Sequence, residues 1–247
     1  MLVLTGCTLP TTTEAPQIRS TPTRTEIPTP TIDWFPATPT PTILPINSPT
    51  PQPTLSVDRQ GVSALLVEDD FTDPSQWLLT QNSAGNIAFG NQNLTLAISK
   101  QNAILSSRSQ HAIPSNFYLE MTIDNALCQS EDQFGIDFWQ QSAGDYYRLL
   151  IDCGGQYRLE IAQGGRSTAL HDWETATDVK IGPNANNRFG LWVYEGQFQL
   201  FINDAFQFEE KISRDRSGDL GVFARTISSS AMTIRFSDLK IYRVEMD

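Results

Sequence analysis

Leu4-Thr5-Gly6-Cys7 sets a thiol directly behind an aliphatic residue and two small ones. A cysteine in that setting accepts a diacylglycerol through its sulfur and becomes the mature N-terminus, so lipidation is expected at Cys7. An export signal also needs a basic stretch and about 7 to 15 apolar residues before the cleavage site. Only Met1-Leu2-Val3-Leu4 precede the small residues, so the expectation is that the coding sequence continues upstream of Met1. The alternative is that Cys7 is an ordinary thiol, a liability on a secreted surface.

The other side chains able to do chemistry are two cysteines, two histidines and the carboxylates. Cys128 and Cys153 are an even pair, and in an oxidising compartment an even pair is most simply a disulfide. Its loop would be worth about 3 kcal/mol. His111 and His171 stand at no metal-ligand spacing from either cysteine, and both fit surface positions. Hydrolysis of a glycosidic bond needs two carboxylates a few ångströms apart. Glu68-Asp69-Asp70 and Glu120 with Asp124 have the wrong spacing for one strand face, and the adjacent Glu209-Glu210 would point to opposite faces. No Gly-x-Ser-x-Gly elbow is present. No catalytic residue is assigned.

The elements that must position these groups divide into two kinds of chain. Residues 8–54 hold twelve of the fifteen prolines and fourteen threonines, and glycine is absent between Gly6 and Gly61. Repeats such as Thr38-Pro39-Thr40-Pro41-Thr42 fix φ and remove amide donors, which excludes helix and sheet ladders. The organisation expected is a signal remnant over 1–7, a disordered Pro/Thr-rich linker over 8–57, and one domain over 58–247. Fully extended, the linker would reach on the order of 140 Å. Its threonines could carry O-linked sugars, or it could be a bare tether. The net charge of −11 falls almost wholly on the domain. An acidic surface repels phosphate backbones, so nucleic acid is not an expected partner.

The domain alternates apolar and polar residues over short stretches: 117–123, 134–139, 146–151, 157–161, 189–194, 198–202, 220–224 and 232–244. Turn pairs fall between them at Gly154-Gly155, Gly164-Gly165, Glu195-Gly196 and Asn203-Asp204. The expected fold class is therefore all-β, a sandwich or barrel of a dozen or more strands. Extrapolating the alternation puts Asp137 and Trp139 opposite Phe134, Ile136 and Phe138, puts Arg148 opposite Tyr147 and Leu149, and puts Trp192 opposite Leu191 and Val193. If these outward faces coincide, Asp137, Trp139, Arg148 and Trp192 form an aromatic platform edged by charge, suited to sugar rings and hydroxyls. The alternative is that the tryptophans pack as satellite core under loops.

Residues 67–244 resemble the bacterial concanavalin A-like lectin/glucanase sandwiches, and within them the laminin G-like domains of 3-keto-disaccharide hydrolase type. The resemblance rests on Asp69-Asp70-Phe71-Thr72-Asp73 with Trp77, Phe117-Tyr118-Leu119-Glu120-Met121, Gly135 with Phe138, and Tyr146-Tyr147. It continues through Gly154-Gly155-Gln156-Tyr157, Asn187-Arg188-Phe189, Gly196 with 198–203, 218–223, and Phe236-Ser237-Asp238-Leu239. It implies a jelly roll of two antiparallel sheets. A retaining glucanase on this fold would carry Glu-x-Asp-x-x-Glu along one strand, a pattern absent here. Sandwiches of this type often hold calcium where the terminal strands meet, which would draw on Asp70, Asp73 and Asp238.

The reading that follows is a bacterial lipoprotein, extracytoplasmic and held to the membrane through Cys7, displaying a monomeric, non-catalytic sandwich for glycan or another surface ligand. The alternatives are a glycoside hydrolase-like enzyme of the 3-keto-disaccharide type and a structural or adhesive module that recognises protein.

Overall fold

A computed structural model describes residues 59–246 apart from 80, 81, 130, 213–215 and 230. Cys7 and the Pro/Thr-rich linker lie outside the described residues. The described chain is almost entirely β: fourteen strands and a single 3-10 turn at Pro74–Gln76. The strands are β1 (Val62–Asp69), β2 (Gly85–Gly90), β3 (Asn93–Ile98), β4 (Ile104–Ile113), β5 (Phe117–Leu127), β6 (Gln133–Ser142) and β7 (Asp145–Asp152). They continue as β8 (Gln156–Gln163), β9 (Arg166–Thr175), β10 (Ala185–Tyr194), β11 (Gln197–Ile202), β12 (Ala205–Lys211), β13 (Gly218–Arg225) and β14 (Met232–Val244).

These strands form two antiparallel sheets. The eight-stranded sheet runs β12-β11-β10-β5-β14-β3-β2, with β1 paired to β14, and the six-stranded sheet runs β4-β13-β6-β7-β8-β9. Period-two alternation explains why they stack. In β5 the buried set is Phe117, Leu119, Met121 and Ile123, and β10 presents Phe189, Leu191 and Val193 to the same side. The six-stranded sheet answers with Leu220, Val222 and Ala224 from β13, Phe134, Ile136 and Phe138 from β6, and Tyr147, Leu149 and Ile151 from β7. Aromatic rings join the layers: Phe138 stacks on Phe198 at 5.7 Å and Tyr157 on Phe208 at 5.0 Å, while Phe117 meets Phe138 edge-on at 6.1 Å. Such pairs add to plain area burial at this interface.

The expected turns are present and have a backbone reason. Asn203 and Asp204 both take positive φ, +50° and +71°, as do Glu195 and Gly196 at +45° and +79°. Two successive left-handed residues make the tight hairpin turn whose twist matches the flanking strands. Cys128 and Cys153 are disulfide-bonded with Cα atoms 5.8 Å apart, tying the end of β5 to the end of β7.

Candidate functional site

One face of the six-stranded sheet is the core, and the other carries a continuous polar row. Strand register places Arg108 (β4), Gly221 (β13), Asp137 (β6), Arg148 (β7) and Glu160 (β8) side by side across the strands. The flanking residues along each strand point to the inner side, so alternation turns all of these outward. Arg148 is the centre of the row. Its Nε and one terminal nitrogen donate to the two Asp137 oxygens at 2.6 and 2.8 Å, a two-point fork. Its guanidinium lies 4.0 Å over the Phe223 ring and 4.7 Å from the Tyr146 ring centre. That cover is why Phe223, on the outward face, is fully buried.

Ion pairs extend the row in both directions. Arg108 Nε donates to Asp219 at 2.6 Å. At the other end Arg158 holds Glu160 at 2.9 Å and reaches Asp172 at 3.5 Å. In β9 the register shift between the pairs Tyr157↔Glu174 and Leu159↔His171 leaves Asp172 and Trp173 together opposite Arg158, a bulge that turns both outward. The Trp173 ring lies 5.9 Å from the Arg158 guanidinium. Burial works against the Arg148 charge, but the Asp137 hydrogen bonds and charge outweigh it and leave its pKa raised. Burial likewise pushes the Tyr146 hydroxyl up. Chemically, the face offers guanidinium donors, carboxylate acceptors and two ring faces, the groups that recognise hydroxylated rings. A depression of about 290 Å³ lined by Trp77, Arg108, Gln110 and Asp219 adjoins its β4 end.

The four residues expected to form a platform are only half together. Asp137 and Arg148 lie on this face and bond each other. Trp139 does not join them: its φ of +51° and the register shift after Phe138 break the alternation, and the indole turns inward. It is 0% exposed, packs edge-on against Phe117 and Tyr147, and donates to the Pro114 carbonyl at 2.8 Å. Trp192 faces outward as expected, but from the other sheet. It is 4% exposed, clusters with Tyr118, Phe201 and Val244, and donates to the Gln60 carbonyl at 3.0 Å. The satellite-core alternative describes Trp192.

The calcium donors serve turns. Asp70 accepts from the Thr72 hydroxyl and amide, and Asp73 accepts from Ser75 and Gln76; these bonds hold both carboxyls below the usual carboxylate range. Asp238 sits in a bulge of β14 with φ +52° and bonds Ser237. No group of three His, Cys, Asp or Glu residues able to hold a metal occurs among the described residues. His171 is half-buried, stacked on Phe208 and Tyr157, with Glu174 at 3.0 Å.

Sequence reasoning missed Arg108, Asp219, Arg158, Glu160, Tyr146 and Trp173. The alternation in Tyr146–Arg148 and Tyr157–Ile161 carried part of the signal. The bulge in β9 carried none, because nothing in Leu170-His171-Asp172-Trp173 marks where the extra residue falls.

No protein-family model and no curated protein matches the chain in sequence. Solved structures do match. The carbohydrate-binding module CBM66 from Bacillus subtilis is 14% identical with a TM-score of 0.54, over 68% of this chain and 95% of that one. A Bacillus licheniformis beta-glucanase is 8% identical with a TM-score of 0.54, over 74% and 99%. LamA_E269S from Z. galactanivorans, solved with laminaritriose and laminaritetraose, is 12% identical with a TM-score of 0.54, over 74% and 100%. The domain is a concanavalin A-like jelly roll, an architecture it shares with carbohydrate-binding modules and glucanases alike.

Proposed function

We propose that the protein is a lipid-anchored, extracytoplasmic display protein whose jelly roll binds glycan on the outer face of the six-stranded sheet without turning it over. The observation that carries this reading is the row Arg108, Asp137, Arg148, Glu160, framed by Tyr146 and Trp173. Bound sugars present hydroxyls that both donate and accept, and the row alternates acceptors with donors across the strands. The structural likeness to a carbohydrate-binding module and to glucanases supports the class of ligand.

The non-catalytic part rests on how the acids are used. Asp219, Asp137 and Glu160 are each held by an arginine. Glycoside hydrolysis needs one carboxyl aimed at the leaving oxygen and another at the sugar carbon or a water, and groups locked in ion pairs suit hydroxyl recognition better. The anchor at Cys7 and the Pro/Thr-rich linker supply the context: a tether that lifts a binding face from the membrane.

The test is a glycan array probed with the whole chain, beside the single variants Tyr146→Ala and Trp173→Ala. Expected is reproducible binding that each variant weakens about tenfold or more, the loss of one stacking contact, with the melting temperature little changed. Sugar release from a β-glucan or keto-disaccharide panel would favour the hydrolase. Silence in both assays would leave a protein-recognising module. Palmitate labelling that survives Cys7→Ala would remove the anchor.

A further inference from the structure

The outer face of the eight-stranded sheet, on the other side of the core, carries a second set of ring, amide and acid side chains. Register sets Trp192 (β10), Gln199 (β11) and Glu209 (β12) side by side, with Tyr194, Gln197 and Lys211 as the next outward row. Leu191, Val193, Phe198, Leu200 and Phe208 between them belong to the core, so alternation turns all six away from it. Over Trp192 the face is closed by the start of the domain: the indole donates to the Gln60 carbonyl, and the Arg59 guanidinium lies 3.6 Å from the Phe201 ring. Beyond that cover it is open. A groove of about 620 Å³ lies there, lined by Tyr194, Gln197, Glu209, Lys211, Ile212 and Met246 among others, a size within the roughly 300–1,000 Å³ of small-molecule sites.

A ligand can reach these groups. Gln197, Glu209 and Lys211 are exposed, and Tyr194, Gln199 and Met246 are half-buried. Glu209 Oε2 accepts from the Gln197 and Gln199 side-chain amides at 3.0 and 3.4 Å, which sets both amides in place. Each amide keeps its oxygen and one N–H for another partner, and Glu209 Oε1 remains an acceptor. The Tyr194 ring is backed by Trp192, centroids 6.1 Å apart, and its hydroxyl makes no hydrogen bond among the described residues.

The frame is fixed at the β10–β11 turn. Glu195 and Gly196 both take positive φ, the Glu195 amide donates to Asn116 Oδ1 at 2.9 Å, and the Ile212 amide donates to the Gly196 carbonyl at 2.7 Å. Groups held in place before a ligand arrives lose little freedom on binding. Glu195, Glu209 and Glu210 line the groove, and Lys211 is the one cation among its lining residues. That balance repels anions and leaves neutral hydroxylated rings as the ligand that the tyrosine, amides and carboxylate fit.

We propose that this groove is a second glycan site, in which a neutral sugar ring stacks on Tyr194 and its hydroxyls bond Gln197, Gln199 and Glu209. The site extends the reading of the jelly roll as a glycan-binding domain and rests on it. It makes the domain bivalent. The two faces point in opposite directions across a core about 10 Å thick, so one short oligosaccharide cannot span both, and two glycan chains can be held at once.

The test titrates the whole chain with laminaritetraose, cellotetraose, xylotetraose and mannotetraose in a calorimeter. At least one is expected to bind at two molecules per chain. Tyr194→Ala and, separately, Glu209→Ala are each expected to weaken one of the two sites about tenfold, the loss of one stacking or charge-assisted contact. Trp173→Ala should weaken the other site, and Tyr194→Ala combined with Trp173→Ala should weaken both. The unaltered chain should also cross-link beads coated with the matching polymer, and neither Tyr194→Ala nor Trp173→Ala should. Glu209 is exposed, so its variant reads the site even where Tyr194→Ala unfolds. One molecule per chain, lost in Trp173→Ala and kept in Tyr194→Ala and Glu209→Ala, would overturn the second site and leave the six-stranded face as the glycan site. Two molecules per chain, unchanged in Tyr194→Ala and Glu209→Ala, would overturn it as well. One molecule, lost in Tyr194→Ala and kept in Trp173→Ala, would uphold the groove and overturn the row on the six-stranded sheet. Binding of no tetraose would overturn both.

Discussion

Removing the carboxylate of Asp137 should destabilise the domain far more than loss of a surface ion pair would. The Asp137 and Arg148 side chains are 4% and 12% exposed, joined at two points, and the guanidinium is pressed onto Phe223. Exposed pairs are worth about 0 to 1 kcal/mol, but breaking a buried pair strands the remaining charge and costs about 3–5 kcal/mol. For a domain of this size each kcal/mol moves the melting temperature by about 2–4 °C, so Asp137→Ala should lower it by roughly 10 °C. Arg148→Met should cost less, because methionine still covers Phe223 and the loss of the guanidinium opens the Asp137 carboxylate to water. The double variant should be more stable than Asp137→Ala alone, with a coupling of at least about 2 kcal/mol in a cycle read by urea unfolding. Two results would refute the reasoning: an Asp137→Ala cost below about 1 kcal/mol, the range of a solvent-screened pair, or single effects that simply add.

Three further outcomes follow from the packing. Trp139→Ala should cost about 3–5 kcal/mol in calorimetry, as for a core aromatic; a loss under 1 kcal/mol would mean that the indole lies on the surface after all. Reducing the Cys128–Cys153 bond should lower stability by about 3 kcal/mol through the restored freedom of the unfolded loop, and a reduced protein with an unchanged melting temperature would contradict this. Burial and Glu174 push the Tyr157 hydroxyl up to about 12, above the ordinary tyrosine value of about 10. The unfolded chain therefore loses this proton first as pH rises. The contribution is whole below about pH 10 and is lost between pH 10 and 12. Tyr157→Phe should flatten that part of the stability curve, and an unaltered curve would remove Tyr157 as its source.

Some of the site was legible because period two survives wherever a strand is regular. Phe134, Ile136 and Phe138 face the core, so Asp137 faces out; Tyr147 and Leu149 do the same for Arg148. The same rule failed one residue later. Trp139 follows Phe138 into the core because the chain there takes a left-handed turn that no residue type announces, tryptophan being a poor marker of positive φ. Trp192 obeyed the rule and still missed the site, because alternation tells a strand's two faces apart but not which sheet the strand belongs to. Strands β1, β2, β3, β4, β9 and β12 were also not picked out, since several are half-exposed and polar on both faces, as Arg166–Thr175 shows.

The residues alone determined an all-β domain behind a Pro/Thr-rich segment, because strand periodicity, turn pairs and proline's missing amide act locally along the chain. They also marked Cys128 and Cys153 as a pair, the two cysteines left once Cys7 is set aside. Which side chains share a face was decided by tertiary structure. Arg108 reaches Asp219 across 111 positions, and Arg225 meets Gln133 across the β6–β13 pairing. Those neighbours are fixed by strand order and bulge position, and both depend on how two whole sheets close on a shared core.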